Sequence, residues 1–295
     1  MKSIYYLVFF LSFVSLHNVA AQEIIQYNLK KGDVFMIEQN AIQNITQNID
    51  DNEHLMTNTL YGIFKMEVVN VLGSKFVLDV NFETFKLKID SNLYGVLTDI
   101  NTSIPANEDD VEAKIFEGLV GPKFQMILLP TGEIESITGT ENLVEGMINN
   151  VEDIDDFTKA MMRKSVEKEF NNHDMVESMQ QFTFIYPEKS VKTNETWENT
   201  YTGDFTANNT WKLMNYSKTN INLESDAIIK LNTTEDSVIM ELSGNQKTKA
   251  IANTATGFIE TMTVTQQLEG VSIALEMNNI KIPTTLTSTI TYKSL

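Results

Sequence analysis

Phe76-Val77-Leu78-Asp79-Val80-Asn81-Phe82-Glu83-Thr84-Phe85-Lys86-Leu87-Lys88-Ile89 carries the clearest structural signal in the chain. Phe76, Leu78, Val80 and Phe82 alternate with Val77, Asp79, Asn81 and Glu83, the period of a strand with one face on a core and the other in water. The parity then slips. Phe85, Leu87 and Ile89 are apolar one place out of step, which predicts a β-bulge near Glu83-Thr84 or a change of neighbour there. Runs such as 75–90 and 33–49 are long for strands, which usually have about 3–10 residues. Strands of that length predict a large, strongly curved sheet and not a small sandwich.

Working outward, Phe64, Met66 and Val68 alternate with Lys65 and Glu67. After Pro187 the pattern resumes through Trp211 and Leu213, Val238, Met240 and Leu242, Met262 and Val264, and Leu286, Ile290 and Tyr292. Thr285, Thr287, Thr289 and Thr291 mark the solvated side of the last of these. Residues 140–182 change character: Val144, Met147, Ile148 and Val151 have helical spacing, and Asp153 to Phe170 reads as a second helix. The acids at its start and Lys164 and Lys168 near its end suit the helix dipole. Met175, Val176 and Met179 mark a third helical face, and Asp110 caps a short helix predicted over 110–118. The fold class expected is α+β: one β-rich domain over 22–295, a large curved antiparallel sheet with a central helical insert on one face. Its parts are an N-terminal β half (22–139), the insert (140–182) and a C-terminal β half (183–295).

Two patterns occur twice in the same order. Leu29-Lys30-Lys31-Gly32-Asp33-Val34-Phe35 is echoed by Val191-Lys192-Thr193-Asn194-Glu195-Thr196-Trp197, and Thr131-Gly132-Glu133 by Thr256-Gly257-Phe258. Glycine and asparagine both tolerate positive φ, so the first pair predicts one turn used twice; either duplicated halves or generic hairpin chemistry would produce it. Tyr27-x-Leu29-x-x-Gly32-Asp33, Gly121-x-x-Phe124 with Leu129-Pro130-x-Gly132, and Tyr186-Pro187-x-x-x-Val191-Lys192 with Trp197 resemble a family of exported Gram-negative proteins, a domain of unknown function. Asn194-Glu195 stands where that family usually has Gly-Asp. The resemblance implies no catalytic residues. A looser likeness of fold, to periplasmic lipoprotein carriers of the LolA type, fixes no function.

Met1-Lys2-Ser3, the apolar run Ile4–Leu16 and the small residues Val19-Ala20-Ala21 predict a signal peptide over 1–21, cleaved after Ala21. The mature protein is then expected to be periplasmic or secreted, without a lipid anchor or a transmembrane segment. With 22 basic against 40 acidic residues, the net charge of −18 opposes binding to nucleic acid or to anionic lipid headgroups. The absence of cysteine excludes disulfides, thiolate nucleophiles and thiolate metal sites. There is no Gly-x-Ser-x-Gly elbow, His-Glu-x-x-His, Walker loop or Gly-x-Gly-x-x-Gly. His54 in Asp50-Asp51-Asn52-Glu53-His54 reads first as a solvated hairpin tip, and Glu108-Asp109-Asp110 as a loop.

These readings lead to an acidic, non-enzymatic protein with no catalytic residues, no metal and no cofactor. Five of its 14 methionines (Met147, Met161, Met162, Met175, Met179) fall in the helical insert, and methionine suits surfaces that meet varied apolar partners. The candidate ligand-binding residues are Met161, Met175, Met179, Phe182, Trp197 and Trp211, around an apolar or lipid-like molecule under the insert. Ordinary helix-on-sheet packing would give the same stripe. The alternative is a structural or protein-interaction component of the cell envelope with no small ligand.

Overall fold

Each apolar parity run becomes a strand, and the strands join one antiparallel sheet. The computed structural model describes residues 22–49, 52–107, 109–151, 154–235 and 237–295. The expected signal peptide (1–21) lies outside the described residues, as do Asp50, Asp51, Glu108, Glu152 and Asp153. The first half supplies β1 (Val34–Ile49), β2 (Asn52–Leu72), β3 (Lys75–Ser91), β4 (Gly95–Asn101), β5 (Lys123–Leu128) and β6 (Ile134–Thr138). The second supplies β7 (Thr196–Tyr201), β8 (Phe205–Tyr216), β9 (Asn220–Glu235), β10 (Val238–Asn253), β11 (Ile259–Ala274) and β12 (Ile280–Ser294). Their order is β6-β5-β3-β2-β1-β12-β11-β10-β9-β8-β7, with β4 beside β3. The parity slip is a bulge: Ile63 of β2 faces Thr84 while its neighbour Phe64 faces Phe82, leaving Glu83 as the extra residue.

The two halves repeat one topology, with β1-β2-β3-β5-β6 and β7-β8-β9-β10-β11 laid out in the same spatial order and β12 inserted where they meet. The paired turns share their geometry. Lys30 N donates to Asp33 Oδ2 at 2.8 Å and Lys192 N donates to Glu195 Oε2 at 2.8 Å. Gly32 (φ 94°) and Asn194 (φ 70°) both take the left-handed conformation the turn needs. The second pair matches as well: Glu133 N donates to Thr131 Oγ1 at 3.3 Å, and Phe258 N to Thr256 Oγ1 at 3.1 Å. Tyr27 and Tyr186 meet edge to face, 5.2 Å between centroids, where the halves join.

Four α-helices and a short 3-10 turn (Leu275–Met277) complete the described structure: α1 (Val111–Glu117), α2 (Glu141–Asn149), α3 (Asp156–Glu169) and α4 (Asn172–Thr183). α2 buries Leu143, Val144, Met147 and Ile148, while α3 buries only Val166. Asn171 bends α3 into α4. Its Oδ1 accepts from Asp174 N at 3.0 Å and its Nδ2 donates to Lys168 O at 2.9 Å. α4 then packs against both β6 and β7, the two outer edges of the sheet, so the sheet is open yet strongly curled. Phe182 of α4 stacks on Tyr292 of the central strand β12 at 4.9 Å, which puts this helix on the concave face.

Candidate ligand-binding site

Strand parity sends every second side chain to the concave face, and register fixes which of them share a level. Asn58 faces Gln43, Gln43 faces Ser288, Ser288 faces Gln266, and Gln266 faces Gln246. Gln246 faces Ala227, Ala227 faces Asn209, and Asn209 faces Asn199. Eight consecutive strands thus place one unbroken row across the hollow side, and six of its members are carboxamides. The rows on either side are apolar for most of their length. Toward the β1–β2 hairpin lie Met56, Ile45, Leu286, Leu268, Ile229, Ala207 and Tyr201. On the other side lie Leu60, Ala41, Ile290, Val264 and Trp211, with Thr248 and Ser225 between the last two. The row therefore divides the buried apolar residues into two clusters, a large one with Trp211, Val264 and Tyr292 and a smaller one with Ile45, Leu268 and Leu286.

A cavity of about 350 Å³ opens along the row. Gln43, Asn58, Gln266 and Ser288 line it together with Gln181 of α4, and its apolar walls include Leu60, Leu87, Phe205, Leu231 and Leu268. β3 and β8 both reach this one space although they stand seven steps apart in the sheet. A flat sheet would separate them by about 34 Å at ~4.8 Å per strand. The curl makes the lumen.

The hydrogen bonding of the row is incomplete. Asn58 Nδ2 donates to Gln43 Oε1 at 3.0 Å and Gln266 Nε2 to Gln246 Oε1 at 2.8 Å. Asn199 Oδ1 accepts from Trp211 Nε1 at 3.2 Å, and its Nδ2 donates to Phe184 O at 2.6 Å. Among the described residues, Asn209, only 1% exposed, has no partner for either Oδ1 or Nδ2, and the buried Oδ1 of Asn58 has none. An unsatisfied buried amide costs about 1–3 kcal/mol; of the two, Asn58 lines the cavity and Asn209 does not. No lysine, arginine, aspartate or glutamate stands in the row or in the rows named on either side of it. The phenols of Tyr201 and Tyr292, neutral at physiological pH in any case, are pushed further above their ordinary range by burial. The lumen is uncharged in a chain whose net charge is −18.

The residues singled out by sequence scatter. Met175, Met179, Phe182 and Trp211 are buried in the larger apolar cluster and none of them lines the lumen, while Met161 is 56% exposed on α3. Trp197 lines a second hollow of about 560 Å³ beside β7, whose walls carry Glu188, Lys189, Glu195 and Glu198. The carboxamides carry no motif, since each is one polar residue on a different strand. The available signal was a polar residue at apolar parity, as in Ile37-x-Gln39-x-Ala41-x-Gln43-x-Ile45 and Val264-x-Gln266-x-Leu268.

Among the described residues no helix is long and apolar enough to cross a membrane, and no group of three or more His, Asp or Glu is placed to hold a metal ion. The sequence model of a family of unknown function, DUF6263, matches residues 73–259. A search of curated proteins gives no match. Among solved structures, an outer membrane channel from Pseudomonas putida F1 aligns at 6% identity with a TM-score of 0.27, covering 92% of this chain and 98% of that one.

Proposed function

The chain belongs to DUF6263, a family of unknown function, and we propose that this member is a binding protein, not an enzyme, whose curled sheet holds an apolar or lipid-like molecule in its lumen. The observation that carries this reading is an uncharged, mainly apolar hollow of about 350 Å³ with walls from both halves of the sheet and from α4. Small-ligand sites typically measure about 300–1,000 Å³ and combine apolar walls with a few convergent polar groups. At about 30 Å³ per water, the space equals roughly a dozen waters, room for one chain of moderate length. An exported protein with this lumen would carry such a molecule through an aqueous compartment, in keeping with the signal peptide expected over 1–21.

Titration with pyrene, a fluorescent hydrocarbon whose band ratio reports local polarity, tests the reading. Saturable binding near one equivalent is expected, abolished by Ala41→Trp, which fills the lumen from β1. Absence of saturable binding to the folded protein would overturn it. A second reading, a protein-interaction component of the cell envelope, draws support from Leu93, Tyr94, Val96, Leu97 and Ile104, which are 50–73% exposed around β4. Exposed apolar side chains concentrated in one segment can mark contact sites. Under that reading pyrene would bind near β4 and Ala41→Trp would leave it unaffected.

A further inference from the structure

We propose that the carboxamide row recognises an uncharged hydrogen-bonding group of the ligand, an ester, amide or hydroxyl attached to a single alkyl or acyl chain. The proposal deepens the lumen-binding reading and rests on it. A carboxamide both donates and accepts, and it does so without charge. The row supplies six of them in register, four of its members (Gln43, Asn58, Gln266 and Ser288) line the cavity, and one of these, Asn58, holds a buried Oδ1 that no described protein group satisfies. An ionic headgroup at this level would lose its hydration and find no counter-charge in the three rows, a heavy penalty. A pure hydrocarbon would leave the amides unsatisfied. A neutral polar group satisfies both demands. Adjacent rows lie two residues, or about 7 Å, apart. That is the reach of one ester with its neighbouring hydroxyl, and the attached chain then lies on Leu60, Leu87 and Leu268, which share the cavity with the row.

A row of amides bonded across strands could instead serve only to hold the strands together. Competition against pyrene on the full chain separates the possibilities, using monodecanoylglycerol as the neutral ester and decanoate at pH 8 as its charged counterpart. The wild-type protein should prefer monodecanoylglycerol by about tenfold or more, the scale of one or two buried hydrogen bonds. In Gln43→Leu/Gln266→Leu its affinity should fall about tenfold while pyrene binds as well or better. Should that pair misfold, Asn58→Leu provides the same contrast. Equal affinity for the neutral and charged ligands, or a parallel loss of all three in the variants, would overturn the proposal and leave the lumen-binding reading standing. Failure of the folded wild-type protein to bind even pyrene would remove both.

Discussion

Asn209 is the residue where local chemistry and global fold conflict most sharply. Its amide is 1% exposed and unpartnered on both atoms, on a strand whose other inward side chains, Ala207, Trp211 and Leu213, are apolar. Leucine has nearly the same size and nothing to satisfy. Asn209→Leu should therefore stabilise the ligand-free protein by about 1–2 kcal/mol, read as a higher urea midpoint at unchanged slope. A lower midpoint would show that the amide has a partner. Gly132 is the opposite case. Its φ is +88° and a Cβ there would lie 1.7 Å from Thr183 O, whereas at Gly73 (φ +64°) a Cβ meets nothing within 4 Å. Gly73→Ala should cost about 1–2 kcal/mol, the left-handed penalty alone. Gly132→Ala should cost more than about 3 kcal/mol, because the backbone leading out of α4 must also move. The turn at Gly132 was legible in the sequence from its echo at Gly257. The contact with Thr183 was not, since it joins residues 51 positions apart.

At the scale of the element, the helices show how far spacing reaches. Val144, Met147 and Ile148 announced α2, and Asp155 and Asn171 cap α3 and α4 by accepting from Thr158 N and Asp174 N, each at 3.0 Å. Spacing could not say which apolar face is used. α3 leaves Phe157 76% exposed, whereas α4 buries Phe182 to 3% against Tyr292. Phe182→Ala should cost about 3–5 kcal/mol, and Phe157→Ala should stay within about 0.5 kcal/mol, both by urea denaturation. α4 also carries a pH dependence. Burial raises the Glu177 carboxyl above its usual range although His173 pulls it down, with Nε2 2.9 Å from Glu177 Oε1. A carboxyl that holds its proton more tightly when folded favours the fold at low pH and loses that contribution as pH rises through the raised value. Glu177→Gln cannot ionise, so its melting temperature should rise relative to wild type between about pH 4 and about pH 7. A difference that is flat across that range would show that the carboxyl titrates alike in both states.

For the molecule as a whole, the decisive strand is β12, which like β4 has no counterpart in the repeat. Alternation in each flank made the strands legible, and the parity slip located the irregularity at Glu83-Thr84 while leaving a bulge and a change of neighbour both open. β3 has the bulge against β2 and also passes from β5 to β4 on its other side. The order of the strands could not be read, because pairing β1 with β12 brings together Ile37 and Ser294, and no local pattern encodes that separation. The amide row was hidden for the same reason: it exists only once eight strands are in register. β12 completes that register. It pairs with β1 from Ile37–Ser294 to Gln47–Thr284 and with β11 from Thr261–Lys293 to Ala274–Ile280. It also contributes Ser288 to the row, Leu286 and Ile290 to the lumen, and Tyr292 beneath Phe182. Removing residues 279–295 would leave β1 and β11 as two long bare edges, which invite pairing with other chains, and would separate the halves whose contact shapes the lumen. The truncated chain should lose the single cooperative thermal transition expected of the full chain and should run as oligomers on size exclusion. Hydrogen exchange on the full chain should agree, with slow amides concentrated in β1, β11 and β12 and fast ones in β4 and β7. A truncated chain that melts as one monomeric unit would mean that each half folds without the joint, and that the curl is set within the halves instead of between them.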